Sequence, residues 1–270
     1  MIKLIHDDCR NAMKELIDEG VSVDLVVTSP PYDNLRTYKD EIDWNFDVFK
    51  EIADLLYQIV AEGGVVVWVV NDATINGSET GTSFKQALYF KEIGFRLHDT
   101  MIYKKKGMSF PESNRYYPNF EYMFVFSKGK PSTVHLIDDK KNKVSGSIVS
   151  TTERQPDGSM KIGSGRKKKS KIKEYGVRFN VWEYHTGIGM NPYLNEHLHP
   201  AMFPFGLARD HIVSWSNPDD LVLDPFMGGG TVGMACKELN RDFIGIEKID
   251  EYFEISKENI KKVPKKLEDF

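Results

Sequence analysis

Apolar positions along the chain fall into two kinds of segment. The first is the short, unbroken run: Val23-Asp24-Leu25-Val26-Val27-Thr28, Val65 to Val70, Leu221-Val222-Leu223-Asp224 and Phe243-Ile244-Gly245-Ile246. Such runs predict strands buried on both faces, as in a parallel sheet covered by helices. The second has helical spacing. From Phe46 to Ala61 apolar residues recur at 48, 49, 52, 55, 56, 59 and 60, predicting a packing helix ended by Gly63 and Gly64. Val232 to Leu239 predicts another helix, and Leu207, His211 and Ile212 recur at helical spacing behind Pro204, a residue suited to a first turn. Glu121 to Lys128 suits a further buried strand. The pattern predicts an α/β fold with a doubly wound, mostly parallel sheet.

The run at Val23 is stopped by Ser29-Pro30-Pro31-Tyr32. Two prolines cannot donate to a sheet ladder, so a rigid loop is delivered at the strand's carboxyl end, where open α/β sheets place their chemistry. A serine hydroxyl, a proline carbonyl and an aromatic ring in that loop suit a flat ring bearing an exocyclic amine. Tyr32 would stack on the ring, while Ser29 and the Pro30 carbonyl accept the amine hydrogens and draw the nitrogen toward tetrahedral geometry. Positioning and electrostatic complementarity then supply the acceleration without a strong base. Read alone, the tetrapeptide has a plainer alternative, a strand followed by a proline-rich turn with an incidental tyrosine.

The run at Leu221 leads into Asp224-Pro225-Phe226-Met227-Gly228-Gly229-Gly230-Thr231 and then a helix. Glycines there let backbone approach a ligand, and the helix start offers free N–H groups. Glu247 follows at the end of the next strand, about 20 residues on, where an acid binds ribose hydroxyls. Gly228-x-Gly230-x-x-Gly233 also fits a dinucleotide fingerprint, which keeps nicotinamide or flavin binding open. Only about 40 residues follow it, too few to complete a doubly wound sheet. The rest of the sheet must come from earlier in the chain, and the proline loop can then face the glycine loop across one rim.

These motifs carry a family resemblance. Val27-Thr28-Ser29-Pro30-Pro31-Tyr32 resembles the signature of cytosine-N4 DNA methyltransferases, and Asp224 to Thr231 resembles the S-adenosylmethionine loop of amino-methyltransferases. Catalytic motif first and cofactor loop last resembles the permuted β-class order. His6-Asp7-Asp8-Cys9 is similar to the family's Gly-Asp-Cys segment that contacts the cofactor adenine, with Asp7 in place of glycine; Asp8 and Cys9 are the residues assigned. His199-Pro200-Ala201-x-Phe203-Pro204, followed by Phe205, resembles the segment that closes over the methionine end. The resemblance thus implies catalytic residues Ser29, Pro30, Pro31 and Tyr32, and cofactor contacts at Asp8, Cys9, Phe205, Asp224, Phe226, Gly228, Gly230, Thr231 and Glu247. It spans most of residues 1 to 129 and 178 to 260.

The unmatched middle divides the chain into a catalytic half (1–129), an inserted target-recognition region (130–177) and a cofactor-binding half (178–270). Formal net charge is −4, yet Arg166-Lys167-Lys168-Lys169-Ser170-Lys171 concentrates positive charge in the insert. Those residues are the expected phosphate contacts, ordering on a duplex; a solvated charged loop is the plain alternative. Arg154, Gln155 and Arg178 are candidates for base edges by residue type. Tyr103-Lys104-Lys105-Lys106 and Asn114-Arg115-Tyr116-Tyr117 read as lining the groove or supporting a flipped nucleotide, or else as surface loop, more as loop for Lys104 to Lys106. Asp33 to Tyr38 reads as a lid over the base, and Asn71-Asp72 as a site element or a simple turn.

Other classes narrow quickly. With 40% hydrophobic residues and no long apolar run, the 270-residue chain predicts a soluble protein with one large core, and Met1-Ile2-Lys3-Leu4 lacks the features of a signal peptide. Two cysteines imply no disulfide framework and suit the cytoplasm. Neither follows a proline, unlike the thiolate nucleophile of cytosine-C5 enzymes, and Cys236 reads as a buried helix residue. His197-x-His199 is the closest histidine pair and has no partner ligands nearby, so no metal is expected. The resemblance implies S-adenosylmethionine as cofactor and double-stranded DNA as partner. It also implies a separately acting restriction endonuclease and a monomer or homodimer. Adenine-N6 methylation is the nearest rival, with aspartate usual there in place of Ser29; a silent nucleic-acid-binding protein and a nicotinamide oxidoreductase are the rivals from other classes.

Overall fold

The computed structural model describes residues 1–32, 44–107, 114–149, 151–185, 191–194 and 204–264. The chain divides into two compact units, residues 1–135 with 180–270, and residues 136–179.

In the first unit eight strands form one sheet. They are β1 (Ile2–His6), β2 (Val23–Thr28), β3 (Val60–Val70), β4 (Arg96–Lys105), β5 (Phe120–Ser127), β6 (Val181–Tyr184), β7 (Leu221–Asp224) and β8 (Asp242–Glu247). The six main helices are α1 (Cys9–Asp18), α2 (Phe46–Ile59), α3 (Thr82–Glu92), α4 (Phe205–Trp215), α5 (Thr231–Glu238) and α6 (Asp250–Lys262). The order across the sheet is β1-β8-β7-β2-β3-β5-β4-β6. Only β5 runs antiparallel to its neighbours. This is the doubly wound α/β sheet expected from the apolar runs.

Its layers follow from the period of two along each strand. Val66, Trp68 and Val70 pack with Phe49, Ile52 and Leu56 of α2 and Phe90 of α3 in one buried cluster. The alternate residues Val65, Val67 and Val69 are buried too. On that second face His211 of α4 brings Nε2 to 3.2 Å from Met123 Sδ of β5. The chain leaves β2 toward β3 on one side and leaves β7 toward β8 on the other, although β2 and β7 are hydrogen-bonded neighbours. Strand order therefore reverses between them, and a crevice opens beyond their carboxyl ends.

One boundary differs from the sequence reading. Helix α2 stops at Ile59 and strand β3 already begins at Val60, so Gly63 and Gly64 lie inside a strand rather than ending a helix. Val23 pairs with Val60 but Leu25 with Val65, which bulges Ala61 to Gly64 out of register. Gly63 sits at φ +82°, where a Cβ would run into Ser132. The helix is closed instead by Lys128, whose Nζ donates to the carbonyls of Tyr57 (2.7 Å) and Val60 (2.9 Å). Lys104 and Lys105 also belong to a strand, the end of β4, where they were read more as surface loop.

The second unit consists of short antiparallel pairings, Thr152–Arg154 with Met160–Ile162 and Lys140–Lys141 with Tyr175–Gly176, and a helical turn at Ser164–Lys167. None of its described hydrophobic side chains is buried. Its bounds, 136 and 179, lie a few residues beyond 130 and 177, the limits of the stretch that the family resemblance leaves unmatched.

Candidate active site

The crevice brings the two motifs together through one buried contact. Thr28, the last residue of β2, donates from Oγ1 to Asp224 Oδ1 at the end of β7 (2.7 Å), across 196 residues of sequence. The Phe226 N–H also donates to Oδ1 (3.1 Å). Asp224 is 2% exposed, and burial pushes its carboxyl up to about 7, against the pull of the Thr28 and Phe226 hydrogen bonds. The loop after β2 and the loop after β7 therefore share one rim, tied at their roots.

The glycine loop is shaped by its own backbone. Gly228 and Gly230 hold φ of +50° and +82°, and a Cβ at Gly230 would come within 3.1 Å of Ser256 Cβ. Asn259 donates to the Gly229 carbonyl from a buried position (2.9 Å). Gly230 caps α5, with Thr231 its first residue. Glu247, at the end of β8, is buried and accepts from the N–H groups of Gly228 and Ile249, both at 2.8 Å. Burial pushes its carboxyl upward, offset by those two donors. Phe226 packs edge-on against Trp44 and Trp68. Phe205 opens α4, 5% exposed, with its ring against Tyr193.

Beyond β1, Asp8 caps α1 and is heavily engaged. It accepts from the Arg10 N–H (3.0 Å), Nε (3.0 Å) and Nη2 (2.9 Å), and Lys248 Nζ stands at 3.4 Å. The Arg10 hydrogen bonds hold its carboxyl down at about 2. Cys9 follows, buried, its thiol pushed up to about 12 mainly by burial. A thiol held that firmly protonated is a small apolar filler, not a nucleophile. Cys236 is fully buried in α5.

The proline loop has Pro30 buried and Ser29, Pro31 and Tyr32 half-buried. Ser29 Oγ lies 2.9 Å from the Tyr32 hydroxyl, which donates to Glu121 Oε2 (3.0 Å). Glu121, at the start of β5, is 5% exposed and pairs with Lys105 Nζ at 2.7 Å. Because β5 runs antiparallel, its amino end reaches the rim where the other strands present their carboxyl ends. The sequence reading gave Glu121 no role at the site and weighed Lys105 only within a basic segment read more as surface loop; an acid inside an otherwise apolar and aromatic strand was the available signal. Opposite Glu121 in the ladder, Tyr103 is buried with its hydroxyl unpartnered among the described residues.

Other candidates fall elsewhere. Asp72 accepts from Ser83 N–H (2.9 Å) and Oγ (2.6 Å), which ties it to the start of α3 as a structural group. Arg166, Lys167, Lys168, Lys169 and Lys171 all lie exposed in the second unit, without ion pairs among the described residues. Arg178 is engaged by Asp139 there. The expected lid, Asp33 to Tyr38, lies outside the described residues, as do His197, His199, Pro200, Ala201 and Phe203. Among the described residues no three His, Cys, Asp or Glu side chains are grouped to hold a metal ion, and no helix is long and apolar enough to cross a membrane.

A strand-order reversal, a glycine loop with an acid on the adjoining strand end, and a serine-proline-proline-tyrosine loop tied to it stand together at the carboxyl rim, where enzymes with open α/β sheets bind their ligands. The family follows directly: residues 23–258 match the DNA methylase model of the N6/N4 methyltransferases, and the chain belongs to that family of DNA-modifying enzymes. Orphan methyltransferase M.BamHII of Bacillus amyloliquefaciens is 50% identical over 255 residues, covering 92% of each chain. DNA adenine methyltransferase YhdJ of Escherichia coli is 26% identical, over 93% of this chain and 80% of that protein. The crystal structure of the M1.HpyAVI-SAM complex is 26% identical, with a TM-score of 0.65 over 96% of this chain and 99% of that one.

Proposed function

We propose that this enzyme transfers a methyl group from S-adenosylmethionine to the exocyclic N4 amine of a cytosine flipped out of double-stranded DNA. The observation that carries the reading is the Thr28–Asp224 hydrogen bond, which roots the proline loop and the glycine loop side by side. An amine held by one loop then faces a methyl donor held by the other.

The residues fit that donor. S-adenosylmethionine supplies an electrophilic methyl group on a sulfonium. Buried Asp224, once ionised, offers negative charge to its cationic end, Glu247 has lone pairs left for ribose hydroxyls, and the positive-φ glycines at 228 and 230 leave room for close backbone approach. Asp8, Cys9, Phe205, Phe226 and Thr231 complete the proposed cofactor contacts. Ser29 and the Pro30 carbonyl accept the amine hydrogens, while Pro31 and Tyr32 shape the base pocket. Flipping is required because the target nitrogen is paired inside the duplex.

The basic unit at 136–179 is read as the target-recognition region, with Arg166, Lys167, Lys168, Lys169 and Lys171 on phosphates. Twelve Lys and Arg against five Asp and Glu in that stretch, in a chain of net charge −4, concentrate the attraction for a polyanion there. The serine at position 29 favours cytosine over adenine. Digestion of methylated DNA to nucleosides and mass spectrometry tests the choice: N4-methylcytosine supports it, and N6-methyladenine alone refutes it.

A further inference from the structure

We propose that Glu121 is a positioning residue that fixes the direction of the hydrogen-bond chain at the proline loop, so that Ser29 faces the target base as an acceptor and the site selects an exocyclic amine over a carbonyl. The inference rests on the reading of Ser29 as the amine's acceptor.

The direction follows from counting protons. Glu121 is a buried carboxylate paired with the Lys105 ammonium, Nζ to Oε1 2.7 Å, so its oxygens only accept. Oε2 takes the Tyr32 hydroxyl at 3.0 Å, and the Val69 carbonyl, 3.4 Å from the same hydroxyl, is also an acceptor. Tyr32 has one hydroxyl proton, and both of these acceptors call for it. The 2.9 Å contact between Ser29 Oγ and the Tyr32 oxygen needs a proton as well, and only Ser29 is left to provide it. With its hydrogen turned inward, Ser29 presents lone pairs toward the rim. It can accept from an N–H there, and it opposes a carbonyl oxygen lone pair to lone pair. Cytosine and thymine differ at this position by that exchange of donor for acceptor.

Glu121→Gln tests the claim. The carboxamide keeps the shape but can donate to the Tyr32 oxygen, which frees the Tyr32 proton to turn toward Ser29. Expected is a fall in kcat of roughly ten- to a hundredfold, the range for a charge-assisted hydrogen bond. KM for DNA and the Kd for S-adenosylmethionine should stay within about twofold. Glu121→Asp, which keeps the charge, should recover part of the loss. In a Tyr32→Phe background, where the chain is already cut, Glu121→Gln should add nothing. A kcat within twofold of the parent overturns the proposal, as does an equal loss in both backgrounds or a loss confined to cofactor binding. Should Glu121→Gln not fold because Lys105 is stranded, the neutral pair Lys105→Gln/Glu121→Gln takes its place under the same criteria. Rates are read on whichever base the parent enzyme methylates, identified separately by mass spectrometry. An adenine product would therefore sink the cytosine assignment and leave this test standing.

Discussion

Replacing Asp224 by asparagine isolates the electrostatic cost of the crevice. The carboxyl is 2% exposed and burial lifts it from 3.8 to about 7 in the folded chain, with Glu247 adding a smaller push the same way. A folded-state value above the unfolded one means that the folded chain holds the proton more tightly. The stabilising contribution is then complete below about pH 4 and is lost as pH rises to about 7. The shift corresponds to about 4 kcal/mol in order of magnitude, of which roughly 3 falls between pH 5 and 8. Asparagine keeps an oxygen for Thr28 and for the Phe226 N–H and never ionises. Without cofactor, urea midpoints of parent and variant should therefore converge near pH 5, with the variant gaining the advantage by pH 8. Subtracting the two curves removes the titration of every group not coupled to Asp224. The affinity of the parent for S-adenosylmethionine should rise through pH 7 as the carboxylate forms, and the variant should bind weakly without that rise. Parallel stability curves for the two proteins, or a variant equally destabilised at every pH, would refute the reasoning.

Three further outcomes are expected. Ser29→Ala should lower kcat by about a hundredfold, as for loss of one preorganised transition-state contact, and leave calorimetric binding of S-adenosylmethionine unchanged. Gly230→Ala should cost about 1–2 kcal/mol, because an L-residue at φ +82° is strained and its Cβ would crowd Ser256; thermal melting would read this as a lower Tm. Replacing Lys167, Lys168 and Lys169 by serine should reduce the slope of log affinity for DNA against log salt by about 3, the contribution of three phosphate contacts, with cofactor binding intact.

The parts of this site that could be read from the sequence are those encoded locally. An unbroken apolar run followed by two prolines, or by glycines and then a helical pattern, contains its own geometry, and β2, β7 and β8 formed where those runs lie. Gly63 and Gly64 misled because glycine ends helices and also builds bulges, and only pairing with β2 decides between them. Strand β4 alternates in burial near the sheet edge, so no apolar run announced it. Glu121 and Lys105 could not be read as a pair because each looks ordinary until an antiparallel strand brings them beneath Tyr32. Asp72 shows the converse: a polar residue at a strand end, well placed for chemistry, was taken by the start of the next helix.

The central claim is that an amine held in the Ser29 loop meets a methyl donor held in the Gly228 loop. Incubating the enzyme with duplex DNA and S-adenosylmethionine carrying a deuterated methyl group, then identifying labelled nucleosides by mass spectrometry, tests it directly. Label on the cytosine N4 nitrogen, abolished or reduced about a hundredfold by Ser29→Ala, is the result predicted. Label on another base alone, or undiminished transfer by the Ser29 variant, would contradict it.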